Sequence, residues 1–315
     1  MVWMHKSLIR LGLVGVGKIA QDQHIPAIRG NPRFELVATA SPHGSIEGIP
    51  AHADLAAMLA APGGDAIDAV CLCTPPGVRA GLARMAIAAG RHVMLEKPPA
   101  ASLSQVEALS RAARTAQISL MATWHSRETA AADAARAWLT GRQIAAVRIV
   151  WREDIRQWHP GQDWLLAAGG FGVFDPAINA FSLLTHILDG TLEVVAADLA
   201  VPANRVAPME AKVTMLHDGQ APVTCDLSIA HPGTPQWDIT IDTDAGTLRL
   251  SEGGHRLSID DQPQTTDADG EYARLYARFA AMIDGGASEV DHRPLMLVAD
   301  AMMVGHTRAL PPFEF

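Results

Sequence analysis

Ile9-Arg10-Leu11-Gly12-Leu13-Val14-Gly15-Val16-Gly17-Lys18-Ile19-Ala20 is the stretch on which the fold turns. Ile9–Val14 reads as a strand. Gly15, Gly17 and Ala20 then follow a G-x-G-x-x-A spacing, and Lys18–Ile28 reads as a helix disturbed by Pro26. Strand, glycine turn and helix in that order are the setting that a dinucleotide-binding loop requires. Gly15 permits the tight turn, Gly17 lets the backbone approach a pyrophosphate, and Ala20 lets the helix pack closely on the strand. The helix N-terminus attracts the phosphate charge. A glycine turn in some other α/β domain is the competing reading of the bare pattern; strand and helix in register favour the dinucleotide.

Outward from this unit, short apolar runs at Phe34–Ala40, Ala69–Cys73, Val93–Leu95 and Ser119–Trp124 alternate with helical patterns at Leu55–Ala60, Val78–Ala89 and Leu103–Ala116. Repeated βαβ units predict a parallel sheet. At the end of the second strand, where an Asp or Glu would bind a ribose 2′-hydroxyl, the chain has Ser41-Pro42-His43. No carboxylate repels a 2′-phosphate there and no arginine clamps one, so both NAD and NADP are expected to be accepted. After Val147 the pattern changes to longer alternating strands: Val147–Trp151, Leu192–Ala200, Ala211–Leu216, Val223–Ile229, Trp237–Thr243 and Thr247–Leu250. Turn pairs such as Asp218-Gly219 and Ala245-Gly246 separate several of them, which predicts an antiparallel sheet with one face packed on helices. Helices are expected at Thr129–Leu139, Pro176–Leu188, Tyr272–Asp284 and Leu295–His306. The expected division is therefore an α/β dinucleotide-binding domain over 1–126 and an α+β domain over 127–315. A broad open sheet face in the second domain would need cover, which predicts a homodimer or a tetramer built from such dimers.

The chain has 315 residues, 49% apolar and 19% charged, with a formal net charge of −9. That composition suits packed domains and gives no broad electrostatic footprint for nucleic acid. Three cysteines, Cys71, Cys73 and Cys225, are too few for a disulfide framework and fit a reducing compartment. Leu11–Gly17 follows Lys6 and Arg10 like a short signal sequence, but it holds three glycines and runs straight into Lys18. No apolar run approaches the ~18 residues of a membrane span. A cytoplasmic protein is expected, with Met1–Ser7 as a loose leader and Met4 as an alternative start. Without C-x-x-C or H-E-x-x-H, no metal site is expected, and the cysteines read as small core residues.

Glu96-Lys97-Pro98 ends a parallel strand at the carboxyl edge, where such sheets place their sites. A lysine there brings a compact ammonium to a substrate hydroxyl. Together with Gly15–Ala20, Cys73-Thr74-Pro75-Pro76 and Gly169-Gly170-Phe171-Gly172-Val173-Phe174-Asp175, it makes the chain resemble the glucose–fructose oxidoreductase/inositol dehydrogenase (Gfo/Idh/MocA) family. The resemblance implies a Rossmann domain followed by an open, mainly antiparallel sheet domain, with a sugar between them. Asp22-Gln23-His24-Ile25-Pro26-Ala27-Ile28, Ala122–Arg127 and Trp158–Trp164 are similar to the family's sugar 1-dehydrogenase branch, whose members act on D-galactose and L-arabinose. As pyranoses these two sugars differ only by a hydroxymethyl group at C5. The nearer alternative is another sugar or polyol dehydrogenase of the family; the other is a non-catalytic sugar or cofactor sensor.

The cofactor set read from these motifs is Gly15, Val16, Gly17, Lys18, Ile19, Ser41, His43, Thr74, Pro75, Pro76, Glu96 and Lys97. The family's Asp-x-x-x-His appears as Asp175-Pro176-Ala177-Ile178-Asn179, with both side chains on one helical face. Asparagine cannot accept a proton, so the resemblance makes Asn179 a substrate hydrogen-bonding residue and leaves Asp175 and Lys97 to handle the proton. Asp175 could instead, or also, cap a helix that begins at Pro176. Glu153 follows the inward face Val147, Ile149, Trp151 and can accept two sugar hydroxyls. His159 can bond a hydroxyl beside the flat ring of Trp158. Trp237 could stack likewise or belong to the core. The resemblance puts His125 near the nicotinamide or the substrate, whereas its residue type alone also suits a bonded interior histidine.

Overall fold

The computed structural model describes residues 7–315; Met1–Lys6, with the expected leader and the alternative start at Met4, lie outside the described residues. The chain forms two units. The first comprises residues up to Trp124 together with Glu271–His292, and the second comprises His125–Gly270 together with Arg293–Phe315.

Six parallel strands make the sheet of the first unit among the described residues: β1 (Ile9–Val14), β2 (Phe34–Ala40), β3 (Ala51–His52), β4 (Ala69–Leu72), β5 (His92–Glu96) and β6 (Leu120–Thr123). Their order is β3-β2-β1-β4-β5-β6, so the winding reverses between β1 and β4. β4 is buried at all four positions, because helices cover both faces of a parallel sheet. Helices α1 (Ile25–Gly30), α2 (Leu55–Ala60), α3 (Pro76–Ala88) and α4 (Leu103–Ala116) make the connections. The turn Ala20–His24 before α1 is π-helical. A proline has no N–H to give a regular turn, and Pro26 enters α1 at its first turn instead.

A simple division at 126/127 is corrected at one segment. α8 (Glu271–Gly285) packs Tyr272, Leu275, Tyr276 and Phe279 into the same core as Ile9, Leu11, Leu13 and Phe34. Phe279 stacks on Phe34 at 6.2 Å, and Arg33 grips Asp284 through two hydrogen bonds of 2.8 and 2.9 Å. The helix follows most strands of the second unit in sequence but buries its apolar face in the first.

The second unit carries a nine-stranded sheet among the described residues. In chain order its strands are β7 (Ile144–Arg152), β8 (Leu192–Pro202), β9 (Glu210–His217), β10 (Ala221–Ser228), β11 (Gln236–Thr243), β12 (Gly246–Ser251), β13 (Arg256–Ile259), β14 (Gln262–Pro263) and β15 (Gly305–Leu310). The spatial order is β14-β13-β12-β11-β7-β10-β9-β8-β15. Most pairs are antiparallel; β10 with β7 and β15 with β8 are parallel. Helices α5 (Ala132–Leu139), α6 (Ile155–Trp158), α7 (Phe174–Ile187) and α9 (Arg293–Val304) complete the unit. α7 is buried at nearly every position. The expected last helix stops at Val304, two residues early, and the chain turns into β15. That strand's middle, His306–Ala309, is exposed on both sides, so no apolar alternation announced it. β13 and β14 were missed for a related reason: they are short and mostly polar. No described helix is long and apolar enough to cross a membrane.

Candidate active site

In the first unit, the loop after β1 lies where the winding reverses, the place where open α/β sheets hold their ligands. Gly15 adopts φ +89°, and a Cβ on it would meet the Cys73 carbonyl carbon and oxygen at 3.1 Å. Its N–H donates to Ala40 at 2.8 Å, while the Cys73 N–H donates to Val14 at 2.8 Å, so β2 and β4 pinch the loop from both sides. In front of Gly17 there is open space for at least 4 Å where a Cβ would stand. Beyond Cys73, the Thr74 hydroxyl is buried without a hydrogen-bond partner. An open glycine backbone at a helix start beside an orphaned hydroxyl fits a dinucleotide pyrophosphate. The Lys18 ammonium pairs with Asp22 one turn on. Ser41 Oγ accepts the His43 N–H at 3.3 Å, which closes the turn at the end of β2 and leaves the hydroxyl proton to donate.

Lys97 stands at the end of β5. Its N–H donates to Glu96 Oε2 at 2.6 Å. The Glu96 side chain, expected at the cofactor, is 3% exposed and points into the unit, where Oε1 accepts the Tyr272 hydroxyl at 2.7 Å and faces His24 Nε2 at 3.2 Å. These bonds brace the strand end that carries Lys97. His24 Nδ1 lies 2.9 Å from the Tyr276 hydroxyl and 3.4 Å from Cys71 Sγ. Burial alone would lower the His24 pKa, but Cys71 and Glu96 beside it raise it to about 10. Burial would likewise raise the Cys71 thiol, but Cys73 and His24 bring it down to about 5.

Arg79, a residue that sequence reasoning passed over, is 3% exposed. Its guanidinium donates to the carbonyls of Thr74, Glu96 and Pro98, tying the loop after β4 to the loop after β5. One planar fork thus serves two strand ends. In sequence it is one arginine on an alanine-rich helix, without a signal that separates it from a solvated charge.

In the second unit, Glu153, His159, Asp175, Trp158 and Trp237 come together. Glu153 follows β7; its N–H donates to Ser228 at 2.9 Å and its carbonyl accepts from His231 at 3.0 Å. That fixes a carboxylate only 3% exposed. Trp237 Nε1 donates to Glu153 Oε2 at 3.0 Å, so the indole orients the acid and is not merely core. The Trp237 ring also meets Trp158 at 5.2 Å and Trp151 at 6.2 Å. His159, just past α6, places Nε2 at 3.9 Å from Glu153 Oε1 and 3.7 Å from Asp175 Oδ2. These separations leave both acids within reach of a hydroxyl seated on the imidazole.

α7 begins at Phe174, with Val173 as its N-cap and no side-chain capping bond, so Asp175 lies inside the first turn. The capping role considered for Asp175 is therefore corrected. Asn179 follows one turn later on the same face, partly exposed. Gly172 enters the helix at φ +54°, where a Cβ would strike the Pro208 carbonyl at 2.2 Å. The glycine-rich string is what lets α7 start against the 207–209 segment. His125 opens a 3₁₀ turn, His125–Glu128, at the start of the second unit, and is partly exposed.

The profile of an oxidoreductase family with an NAD-binding Rossmann fold, Gfo/Idh/MocA, matches residues 9–123. A galactose 1-dehydrogenase of Pseudomonas fluorescens is 42% identical over 317 residues, covering 97% of this chain and 98% of the relative. The crystal structure of a D-galactose-1-dehydrogenase protein from Rhizobium etli superposes with a TM-score of 0.94 at 46% identity, covering 99% of this chain and 100% of the other. A 3-ketoreductase of Actinomadura kijaniata, KijD10, shares the fold at a TM-score of 0.83 and 19% identity, covering 97% of this chain and 100% of its own. A near full-length relative above 40% identity and a matching dinucleotide unit leave one assignment: this chain belongs to the Gfo/Idh/MocA family of oxidoreductases, and residues 9–123 are the NAD-binding Rossmann part of that family.

Proposed function

We propose that the protein is a sugar 1-dehydrogenase that oxidises C1 of D-galactopyranose, and of L-arabinopyranose, to the aldonolactone. The observation that carries this reading is the grouping of Glu153, His159 and Asp175, with Trp237 bonded to Glu153. Two acids and an imidazole beside the flat faces of Trp158 and Trp237 suit a ring of hydroxyls with apolar C–H faces. The names of the Pseudomonas and Rhizobium relatives support galactose. L-Arabinose rests on its identity with galactose at C2, C3 and C4.

In this proposal the backbone of Gly15–Ile19, with Ser41, His43, Thr74–Pro76 and Lys97, holds NAD or NADP. When bound, the nicotinamide supplies a hydride acceptor. Lys97 donates a hydrogen bond to O1 and stabilises the negative charge that develops there. Asp175 takes the O1 proton, directly or through Lys97 or water. Loss of that proton and of the C1 hydride turns the hemiacetal carbon into the lactone carbonyl. An anomeric hydroxyl is more acidic than an ordinary secondary alcohol, so a carboxylate suffices where other family members carry histidine at position 179. Asn179, Glu153 and His159 fix the ring, and His125 contacts the nicotinamide or the substrate. A homodimer built on the open face of the nine-stranded sheet is part of the same reading; a sedimentation mass near that of one 315-residue chain at micromolar concentration would refute it.

Initial rates with galactose, arabinose, xylose, glucose and inositol, each with NAD and NADP, test the proposal. Galactose and arabinose should lead with both cofactors, within about the 10–200-fold that one added carbon group is worth in a pocket. Complete inactivity with one cofactor would overturn the reading of Ser41-Pro42-His43. Preference for inositol, or no sugar-dependent reduction of nicotinamide, would overturn the sugar reading.

A further inference from the structure

Beneath the dinucleotide loop, the first unit gathers a histidine and two cysteines that the oxidation of a sugar does not use. His24 comes from the π-helical turn, Cys71 from β4, and Cys73 from the residue where β4 gives way to its loop. A ring nitrogen of His24, Sγ of Cys71 and Sγ of Cys73 all lie within 4.8 Å of one another. The two sulfurs are 3.7 Å apart, and Cys71 Sγ is 3.4 Å from Nδ1. A tetrahedral zinc ion with bonds of about 2.3 Å to sulfur and 2.0–2.1 Å to nitrogen spaces two thiolates by about 3.8 Å and a thiolate and imidazole by about 3.5 Å. The spacings at Cys71 already match that bite.

A second observation comes from the other side of the imidazole. Nε2 faces Glu96 Oε1 at 3.2 Å, and Glu96 is itself held by the Tyr272 hydroxyl at 2.7 Å and the Lys97 N–H at 2.6 Å. A carboxylate on one ring nitrogen holds the N–H there and turns the other nitrogen toward the metal, the arrangement that accompanies most histidine ligands. His24 and Cys71 are fully buried, and Cys73 lies at the edge of the cluster with intermediate burial. The Tyr276 hydroxyl, 2.9 Å from Nδ1, stands beside the three donors and leaves the fourth position to itself or to water.

We propose that His24, Cys71 and Cys73 form a binding site for a thiophilic cation of the zinc type. With the cation bound, both sulfurs are thiolates and Nδ1 is unprotonated; any protons these atoms carried pass to solvent, and no electron is transferred. The absence of any sequence pattern is explained by the chain path: a proline-driven π turn brings His24 to Cys71 from 47 residues away.

Cobalt(II) reports such a site directly. The full chain, reduced with a phosphine and freed of metal, is titrated with cobalt at micromolar protein concentration. One equivalent should bind, giving the intense visible bands of tetrahedral cobalt and a near-ultraviolet thiolate-to-cobalt charge-transfer band; one equivalent of zinc should abolish both. Cys71→Ser combined with Cys73→Ser should lose these bands while keeping its circular dichroism, and Cys225→Ser should retain them. X-ray absorption on the unaltered cobalt-loaded chain should show two sulfur neighbours and a histidine nitrogen, a result independent of how any variant folds. No binding at these concentrations, bands without the sulfur transition, or the same bands in the double variant would each overturn the proposal.

Discussion

At the strand ends of the first unit, the groups presented to a ligand are largely backbone: an open glycine at 17, a pinched glycine at 15, and loops whose carbonyls are gathered inward by Arg79. In the second unit, the groups proposed to meet the sugar are side chains delivered from residues 153, 159, 175 and 237, more than eighty positions apart at the extremes. A backbone site tolerates many side chains but demands particular turns. A side-chain site tolerates turns but demands particular residues and neighbours to hold them. The difference teaches where each kind of substitution should be felt.

The largest effect is expected at Lys97, the one side chain of this otherwise backbone-built edge to which the proposal gives chemistry. Lys97→Ala should lower kcat by at least ~100-fold while the nicotinamide dissociation constant stays within a few-fold, the signature of a lost electrostatic or acid–base group. Near-normal turnover would remove Lys97 from the reaction and make the first unit's edge a binding surface alone. Next, Asp175→Asn keeps shape and hydrogen bonding but cannot accept a proton. Its kcat should fall toward ~100-fold with sugar affinity much less changed. If kcat is mostly retained at neutral pH, the proton leaves by Lys97 as a neutral amine.

Gly15→Ala sharpens the contrast from the backbone side. The positive φ costs an alanine about 1–2 kcal/mol, and its Cβ would press on the Cys73 carbonyl, so cofactor affinity should fall roughly 10- to 30-fold. Sugar KM at saturating cofactor should be unmoved. Trp237→Phe is the mildest and the mirror image. It removes one hydrogen bond to Glu153, about 1 kcal/mol, and should raise sugar KM roughly five-fold with nicotinamide titrations unchanged. A cofactor defect in Trp237→Phe, or a sugar defect in Gly15→Ala, would break the distinction between the two regions.

The same contrast governs what could be read beforehand. Ile9–Ala20 is legible because a backbone site writes itself into sequence as strand, glycines and helix at fixed spacing. The alternation Val147, Ile149, Trp151 gave the direction of Glu153 because β7 is a regular strand up to that point. The bond from Trp237 to Glu153 had no such sign: it depends on β11 lying beside β7 in a register that pairs Trp237 with Trp151. Arg79 and His24 were silent for the same reason, since their burial is produced by loops and turns that converge only in the folded unit. Asp175 and Asn179 were placed on one helical face by spacing alone, whereas the approach of His159 to Asp175 at 3.7 Å has no sign in the sequence.

The return of Glu271–Gly285 to the first unit bears on how the protein is made. A ribosome releases residues 1–124 early, yet the core around Ile9, Leu13 and Phe34 lacks Tyr276 and Phe279 until α8 has followed. Most strands of the second sheet therefore leave the tunnel before the nucleotide unit can close its own interior. During synthesis the nascent amino-terminal part must wait, with apolar surface uncovered, for a helix encoded more than 140 residues downstream. A fragment cut after residue 126 would carry the complete glycine signature without Tyr276 and Phe279, which pack in the same core as Ile9 and Phe34.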